Sequence, residues 1–215
     1  MKTEFLNNSL INIVEHPLAK HCVMQLRNQD SSVAKFRHAM SVLTQVLFWQ
    51  ASQKITGRVE EVLTPLGAAS GFALNESEVV LIPIMRAGLG MLAAIQALIP
   101  DCRVGFVGLA RNETTLQAHS YYTKFPEFSS QHHIFVLDPM LATGNSVCRA
   151  LQEIRESGGQ NIHLICALAA PEGITHVQEA FPKIPITVAA VDEKLTDEGF
   201  IFPGLGDAGD RLMGT

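Results

Sequence analysis

The 215-residue chain predicts an α/β fold, an open and mostly parallel sheet flanked by helices, and three observations lead there. Short, almost wholly apolar runs recur along it, as strands covered on both faces require. Stretches with helical spacing of apolar residues alternate with those runs, which is the pattern of a parallel sheet joined by crossover helices. Charges and glycines gather directly after the runs, at Arg86, Arg111, Asp138 and Asp192, so one end of the sheet is polar. In open sheets of this kind ligands bind beyond the carboxyl ends of the strands.

Taken in order, Pro17 opens a helix with Leu18, Cys22 and Leu26 on one face. A polar break at 28–32 follows, and Ser31 or Ser32 caps a long helix in which Val33, Phe36, Met40, Leu43 and Leu47 recur with a helical period. From Arg58 onward the pattern changes to strands at Val79–Met85, 103–110, His133–Leu137, 162–168 and Ile186–Val191. Helices are expected between most of them, at 89–98, 146–157 (stopped by Gly158-Gly159) and Pro171–Ala180. No repeat, low-complexity tract or linker divides the chain. One domain is therefore expected over 1–215: a helical N-terminal segment at 1–57, an α/β core at 58–191 with an arm at 111–126, and an irregular hood at 192–215.

Composition removes several classes of function. Hydrophobic residues make up 47% and charged residues 17%, which is far from a disordered composition. A net charge of −5 argues against a nucleic-acid surface, which needs a basic stripe. From Val79 to Pro100 only Arg86 is charged, yet Pro83, Gly88 and Gly90 fit a strand, a turn and a buried helix better than a membrane span. The N-terminus, MKTEFLNNSL, has no signal-peptide apolar run, so a cytoplasmic protein is expected. Cys22, Cys102, Cys148 and Cys166 form no C-x-x-C pair and read as reduced thiols.

The most informative motif runs from Ile134 to Ser146, a strand, a loop and a helix start. Backbone N–H groups around Ala142, Thr143, Gly144, Asn145 and Ser146 would sit at the positive end of a helix, which suits a phosphate monoester. Asp138, at the strand mouth, is placed to accept hydrogen bonds from a vicinal diol. Apolar Met140 and Leu141 between acid and cradle make little sense in a mere turn, and a ribose 5-phosphate fits the pair. Arg86, in the glycine-opened loop after the first strand, reads as a clamp on a diphosphate. Gly88, Gly90 and Ala93 also match the dinucleotide pattern G-x-G-x-x-A, and an NADP enzyme is the competing reading. Against it, a charge precedes the first glycine, and the second cradle would go unexplained.

In the tail, 202–211, the spacing of Gly204, Gly206 and Gly209 repeats the fingerprint where the chain ends too soon for a helix or strand to follow. An irregular backbone is expected instead, offering N–H and C=O groups to a planar polar ring. The arm holds Tyr121, Tyr122 and Lys124 and is expected to close over a charged substrate. Arg86, Arg111 and Lys124 would together bring positive charge to the pocket. None of the eight histidines has metal-ligand spacing.

Five stretches together resemble the uracil phosphoribosyltransferase family, with its type I phosphoribosyltransferase fold. They are Pro83-Ile-Met-Arg-Ala-Gly-Leu-Gly-Met91, Tyr121-Tyr-Thr-Lys124, Asp138-Pro-Met-Leu-Ala-Thr-Gly144, Ala169-Ala-Pro-Glu-Gly173 and Phe202-Pro-Gly-Leu-Gly-Asp-Ala-Gly-Asp-Arg211. The resemblance implies transfer of phosphoribose from 5-phosphoribosyl 1-diphosphate to uracil, giving UMP and diphosphate, with Mg²⁺ bound through the diphosphate rather than by protein ligands. It implies that Arg86 and Arg111 hold the diphosphate. The ribose 5-phosphate would fall to Asp138, Pro139, Met140, Leu141, Ala142, Thr143, Gly144, Asn145 and Ser146. Ile201, Gly206, Asp207 and Ala208 would read uracil largely through backbone, with Asp207 beside the reacting ribose. A homo-oligomer is expected on the same ground. From a different class, a catalytically silent pyrimidine-nucleotide sensor on the same fold is the alternative.

The chain departs from the family pattern in places. Asn145 stands where a second glycine is usual; because asparagine tolerates positive φ, binding should survive with altered phosphate affinity. Ala118 replaces an arm proline. GTP regulation, which the resemblance raises, would involve a segment, 27–32, that lacks a usual lysine, and Trp49-Gln50 stands where Tyr-Glu is usual.

Overall fold

The computed structural model describes residues 9–111 and 118–215, with backbone only at Arg111 and Ala118. Helix α1 (Pro17–Arg27) starts at His16, whose Nδ1 accepts from Leu18 N. Helix α2 (Val33–Ala51) is capped by the Ser32 side chain, one of the two serines expected. Strands β4 (Val79–Met85), β8 (His133–Leu137) and β11 (Ile186–Val191), and helix α5 (Pro171–Ala180), have the expected bounds. Helix α3 (Leu89–Gln96) stops two residues early, and α4 (Asn145–Glu156) begins one residue early. Strand β10 (Asn161–Ala169) is longer by one residue at each end.

The run at 103–110 divides into β5 (Arg103–Val104) and β6 (Phe106–Arg111), both parallel to β4. Three strands were not expected in the N-terminal third. Ile11–Ile13 forms β1, which pairs in parallel with β11 and edges the sheet. Gly57–Thr64 (β2) and Gly67–Leu74 (β3) form an antiparallel hairpin outside that sheet.

The sheet order is β1-β11-β10-β8-β4-β6-β7, with β7 (Ala118–Lys124) antiparallel on β6. All other pairings in the sheet are parallel. Alternation along β4 divides the core. Val79 and Leu81 face the layer of α1, α2 and α3, whereas Val80, Ile82 and Ile84 face that of α4 and α5. From β4 the chain first moves outward to β6, then returns to the other side of β4 as β8. The order therefore reverses between β4 and β8, and a sheet opens a crevice at such a point.

Beyond β11 the hood is a ribbon of β12 (Lys194–Leu195) and β13 (Ile201–Phe202), then a loop and a final helix α6 (Ala208–Met213). That helix corrects the expectation that none could form so close to the end. It is too short to be stable by itself; Asp207 caps it, and Leu212 packs into the space left by Gly90. Among the described residues no helix is long and apolar enough to cross a membrane.

Candidate active site

At the β4/β8 reversal lies a cleft of about 400 Å³ whose walls come from three distant parts of the chain. Met85, Arg86 and Ala87 follow β4; Asp138, Met140, Leu141, Ala142, Thr143, Gly144 and Ser146 follow β8; Gly199, Phe200, Ile201, Gly206, Asp207, Ala208 and Gly209 belong to the hood. Most of the residues singled out in the sequence are therefore brought together. Pro139 and Asn145 do not line the cleft. Pro139 is buried and its carbonyl accepts from Ala167 and Leu168 of β10, which anchors the loop from beneath.

Short β9 (Met140–Leu141) pairs with the end of β10, so the loop after β8 is drawn along the sheet before turning into α4. The turn is made at Gly144, with φ +83°, where a side chain would be strained and would also press on Gly173 O and His176. Positive φ thus falls on Gly144. Asn145 is the first residue of α4, so the expectation that it must tolerate a left-handed backbone is corrected. His176 donates through Nδ1 to Thr143 O at 2.9 Å, and Thr143 Oγ1 accepts from Asn145 N at 3.4 Å. The positive end of α4 consequently opens on the cleft beside two hydroxyls. Cys148 sits in the first turn, where burial pushes its thiol up to about 11, so it stays protonated.

Gly88 lies so close to Leu137 O and to the Ile84 backbone that a Cβ could not be accommodated. The glycines of the loop after β4 thus serve close packing against β8 and, at Gly90, against α6. The Arg86 side chain is exposed, with Nη2 3.7 Å from Asp210 Oδ1. Arg111 ends β6 at the cleft side of the sheet, and its side chain lies outside the described residues. Lys124 corrects an expectation: it pairs with Phe106 at the opposite end of β6, so it brings no charge to the cleft. Tyr121 and Tyr122 are on β7, and Thr123 Oγ1 donates to Glu153 Oε2 of α4 at 2.6 Å. Strands β6 and β7 pair at the sheet edge and dock on a helix, and residues 112–117 of the expected arm lie outside the described residues.

In the hood, Asp207 caps α6, its Oδ1 accepting from Asp210 N at 2.9 Å, and it stays exposed to the cleft. Ile201 and Ala208 are buried, while Gly206 turns with φ +79°. Sequence reasoning missed what holds this segment. Arg37 Nε donates to Leu212 O at 2.6 Å, and Arg211 donates to the carbonyls of Leu26, Leu205 and Asn28 while stacking on Phe36. Arg27 and Asp192 form an ion pair beneath it. No local pattern marks these contacts, because each partner is far away in sequence. Among the described residues no group of three His, Cys, Asp or Glu side chains could hold a metal ion.

A parallel sheet whose reversal point joins an arginine loop, a helix start open to the cleft and an acid at the strand mouth has the architecture of a type I phosphoribosyltransferase. Consistent with that fold, the chain is similar to adenine phosphoribosyltransferase from Trypanosoma brucei with a TM-score of 0.59 at 11% identity, over 94% of this chain and 90% of that one. A family model described as uracil phosphoribosyltransferase matches residues 13–215, and the chain belongs to that family. It is 40% identical to the uracil phosphoribosyltransferase of Dictyoglomus turgidum over 206 residues, 96% of this chain and all of that one. A solved structure of an Aquifex aeolicus protein superposes with a TM-score of 0.90 at 42% identity, covering 94% and 97% of the two chains.

Proposed function

We propose that this chain transfers the phosphoribosyl group of 5-phosphoribosyl 1-diphosphate to uracil, releasing diphosphate and UMP. The observation that carries the reading is the single cleft at the β4/β8 reversal, which gathers an anion-binding helix start, an acid, an arginine loop and a backbone-rich hood. The 5′-phosphate is assigned to the start of α4 at Thr143, Gly144 and Ser146. Asp138 accepts hydrogen bonds from the ribose hydroxyls. Uracil lies under the hood against Ile201, Gly206 and Ala208, where backbone groups can match its fixed pattern of donors and acceptors.

In the reaction the C1′–O bond to diphosphate breaks with its electron pair leaving on oxygen, and the C1′–N1 bond forms as the N1 proton of uracil passes to the departing diphosphate. Charge moves onto the leaving group and a cationic sugar develops, so catalysis is a matter of placing charge and reactants. Arg86 and Arg111 neutralise the departing diphosphate. Mg²⁺ would come in with the substrate's diphosphate, in keeping with its preference for phosphate and water ligands, and would supply further charge neutralisation there. Asp207 stands at the hood edge, where its carboxylate steadies the positive charge developing on the ribose.

The same reading makes the protein a homo-oligomer. Hairpin β2–β3 carries Val59, Leu63, Leu66 and Phe72 at 82%, 88%, 100% and 70% exposure, an apolar display that a second copy would cover. The cytoplasm is the fitting compartment, since all four cysteines are free. Incubation with 5-phosphoribosyl 1-diphosphate, Mg²⁺ and each free nucleobase in turn tests the activity. UMP from uracil is the expected product, and its absence overturns the assignment.

A further inference from the structure

At the C-terminal end of α1 the chain exchanges two arginines with the hood. Arg211, from the hood, reaches the carbonyls of Leu26 and Asn28, which lie where a helix has unpaired acceptors and a partial negative charge. Arg27, the last residue of α1, reaches the other way. Its Nη1 lies 2.8 Å from Asp192 Oδ2 and 2.8 Å from Gly204 O, and its Nη2 lies 2.5 Å from Asp192 Oδ1. Asp192 Oδ2 in turn accepts from Gly204 N at 2.9 Å.

Both backbone polar groups of Gly204 are therefore held by one ion pair. The pair is well shielded, the Asp192 side chain being 5% and the Arg27 side chain 21% exposed. Gly204 itself has φ +63° and lies between Ile201 and Gly206, two residues that face the cleft. Asp192 cannot drift, because its own N–H donates to Ala169 O at the end of β10. The link thus runs from the rigid sheet through a carboxylate and a guanidinium to the peptide groups from which the base-facing loop is hung.

We infer that Arg27 and Asp192 are positioning residues for the nucleobase: through Gly204 they set the hood backbone at the height a planar pyrimidine requires, without touching it. The inference rests on the hood being the uracil subsite. The ribose and phosphate contacts come from the loop after β8, which the pair does not touch. Weakening the pair should therefore penalise uracil and spare 5-phosphoribosyl 1-diphosphate. A residue that merely kept the protein folded would affect both substrates alike.

Arg27→Lys keeps the charge but cannot span Asp192 and Gly204 O with one planar fork. Asp192→Asn keeps the shape and weakens the grip on Arg27. Steady-state kinetics of both variants, with circular dichroism to establish the folded fraction, tests the inference. The expected result is a rise of about tenfold or more in KM for uracil, with KM for 5-phosphoribosyl 1-diphosphate within about twofold of the parent. A folded Arg27→Lys protein with unchanged KM for uracil, or equal changes for both substrates, overturns it. Should Asp192→Asn not fold, Arg27→Lys alone decides. Wild-type turnover of uracil is measured first: its absence removes the functional reading itself, whereas turnover with unmoved variant constants removes only the role of the pair.

Discussion

Asp207 has two duties that one substitution can separate. It caps α6 through Oδ1 and presents its carboxylate to the cleft. Asparagine caps a helix about as well as aspartate, so Asp207→Asn should leave α6 in place while removing the charge. Turnover with uracil is expected to fall ~10²-fold or more, with an unchanged thermal midpoint. An unaltered kcat would remove Asp207 from the chemistry. At this scale much of the cleft lining is legible, because a strand mouth, a small-residue loop and a helix start carry local signatures: Asp138, Thr143, Gly144 and Ser146, expected from the residues after one strand, all line the cleft. The left-handed turn position expected at Asn145 falls one residue earlier, on Gly144. Only the backbone geometry shows that Gly144 alone takes the left-handed conformation.

Among the elements, hairpin β2–β3 is a ribbon of two strands, and such a ribbon is at best marginally stable in water. Among the described residues it joins no other strand, Val59, Leu63, Leu66 and Phe72 are exposed, and Trp49 of α2 is 78% exposed. Replacing Leu63 and Phe72 by Ser should therefore lower the mass in light scattering to that of one chain, with the far-UV spectrum retained. A mass unaffected by the change would place any subunit contact elsewhere. The hairpin escaped the sequence reading because Gly67, Ala68, Ala69, Ser70 and Gly71 have little strand character, and the partner strand shows no clean alternation of burial. Helix α6 escaped for the complementary reason. Six residues with a glycine have no helical signal, and docking of Leu212 and Arg211 supplies what propensity does not.

For the molecule as a whole, the base of the sheet carries a pH dependence. His163, at the start of β10, bonds Thr187 Oγ1 through Nε2 at 2.8 Å and stacks on Phe135. Burial first, and Lys54 second, lower its pKa from 6.5 to about 4. The unfolded chain binds this proton more readily than the folded one. Stability is thus complete above pH 6.5 and declines as pH falls from there to about 4, by an amount on the order of 3 kcal/mol. His132 and His133 are lowered in the same sense, mainly by burial, and add to the slope. Urea midpoints at pH 7.5 and 4.5 should differ clearly in the parent and much less in His163→Gln. Equal losses in both proteins would acquit His163.

The class of fold and most of the loops that line the cleft are legible in local pattern. Apolar periodicity and turn residues are local properties, and a strand such as Val79–Met85 announces itself within seven residues. Long-range strand pairing sets which strands are neighbours, and hence that the order reverses between β4 and β8 to open the cleft. It also decided that Lys124 lies at the wrong end of β6, since an antiparallel register fixes which end of a hairpin meets which. The hood is the clearest case. Its backbone is held by Arg27 and Asp192, 165 residues apart, and nothing in a linear pattern records a contact between charges so distant in sequence, whose attraction and hydrogen bonds offset the cost of taking both out of water.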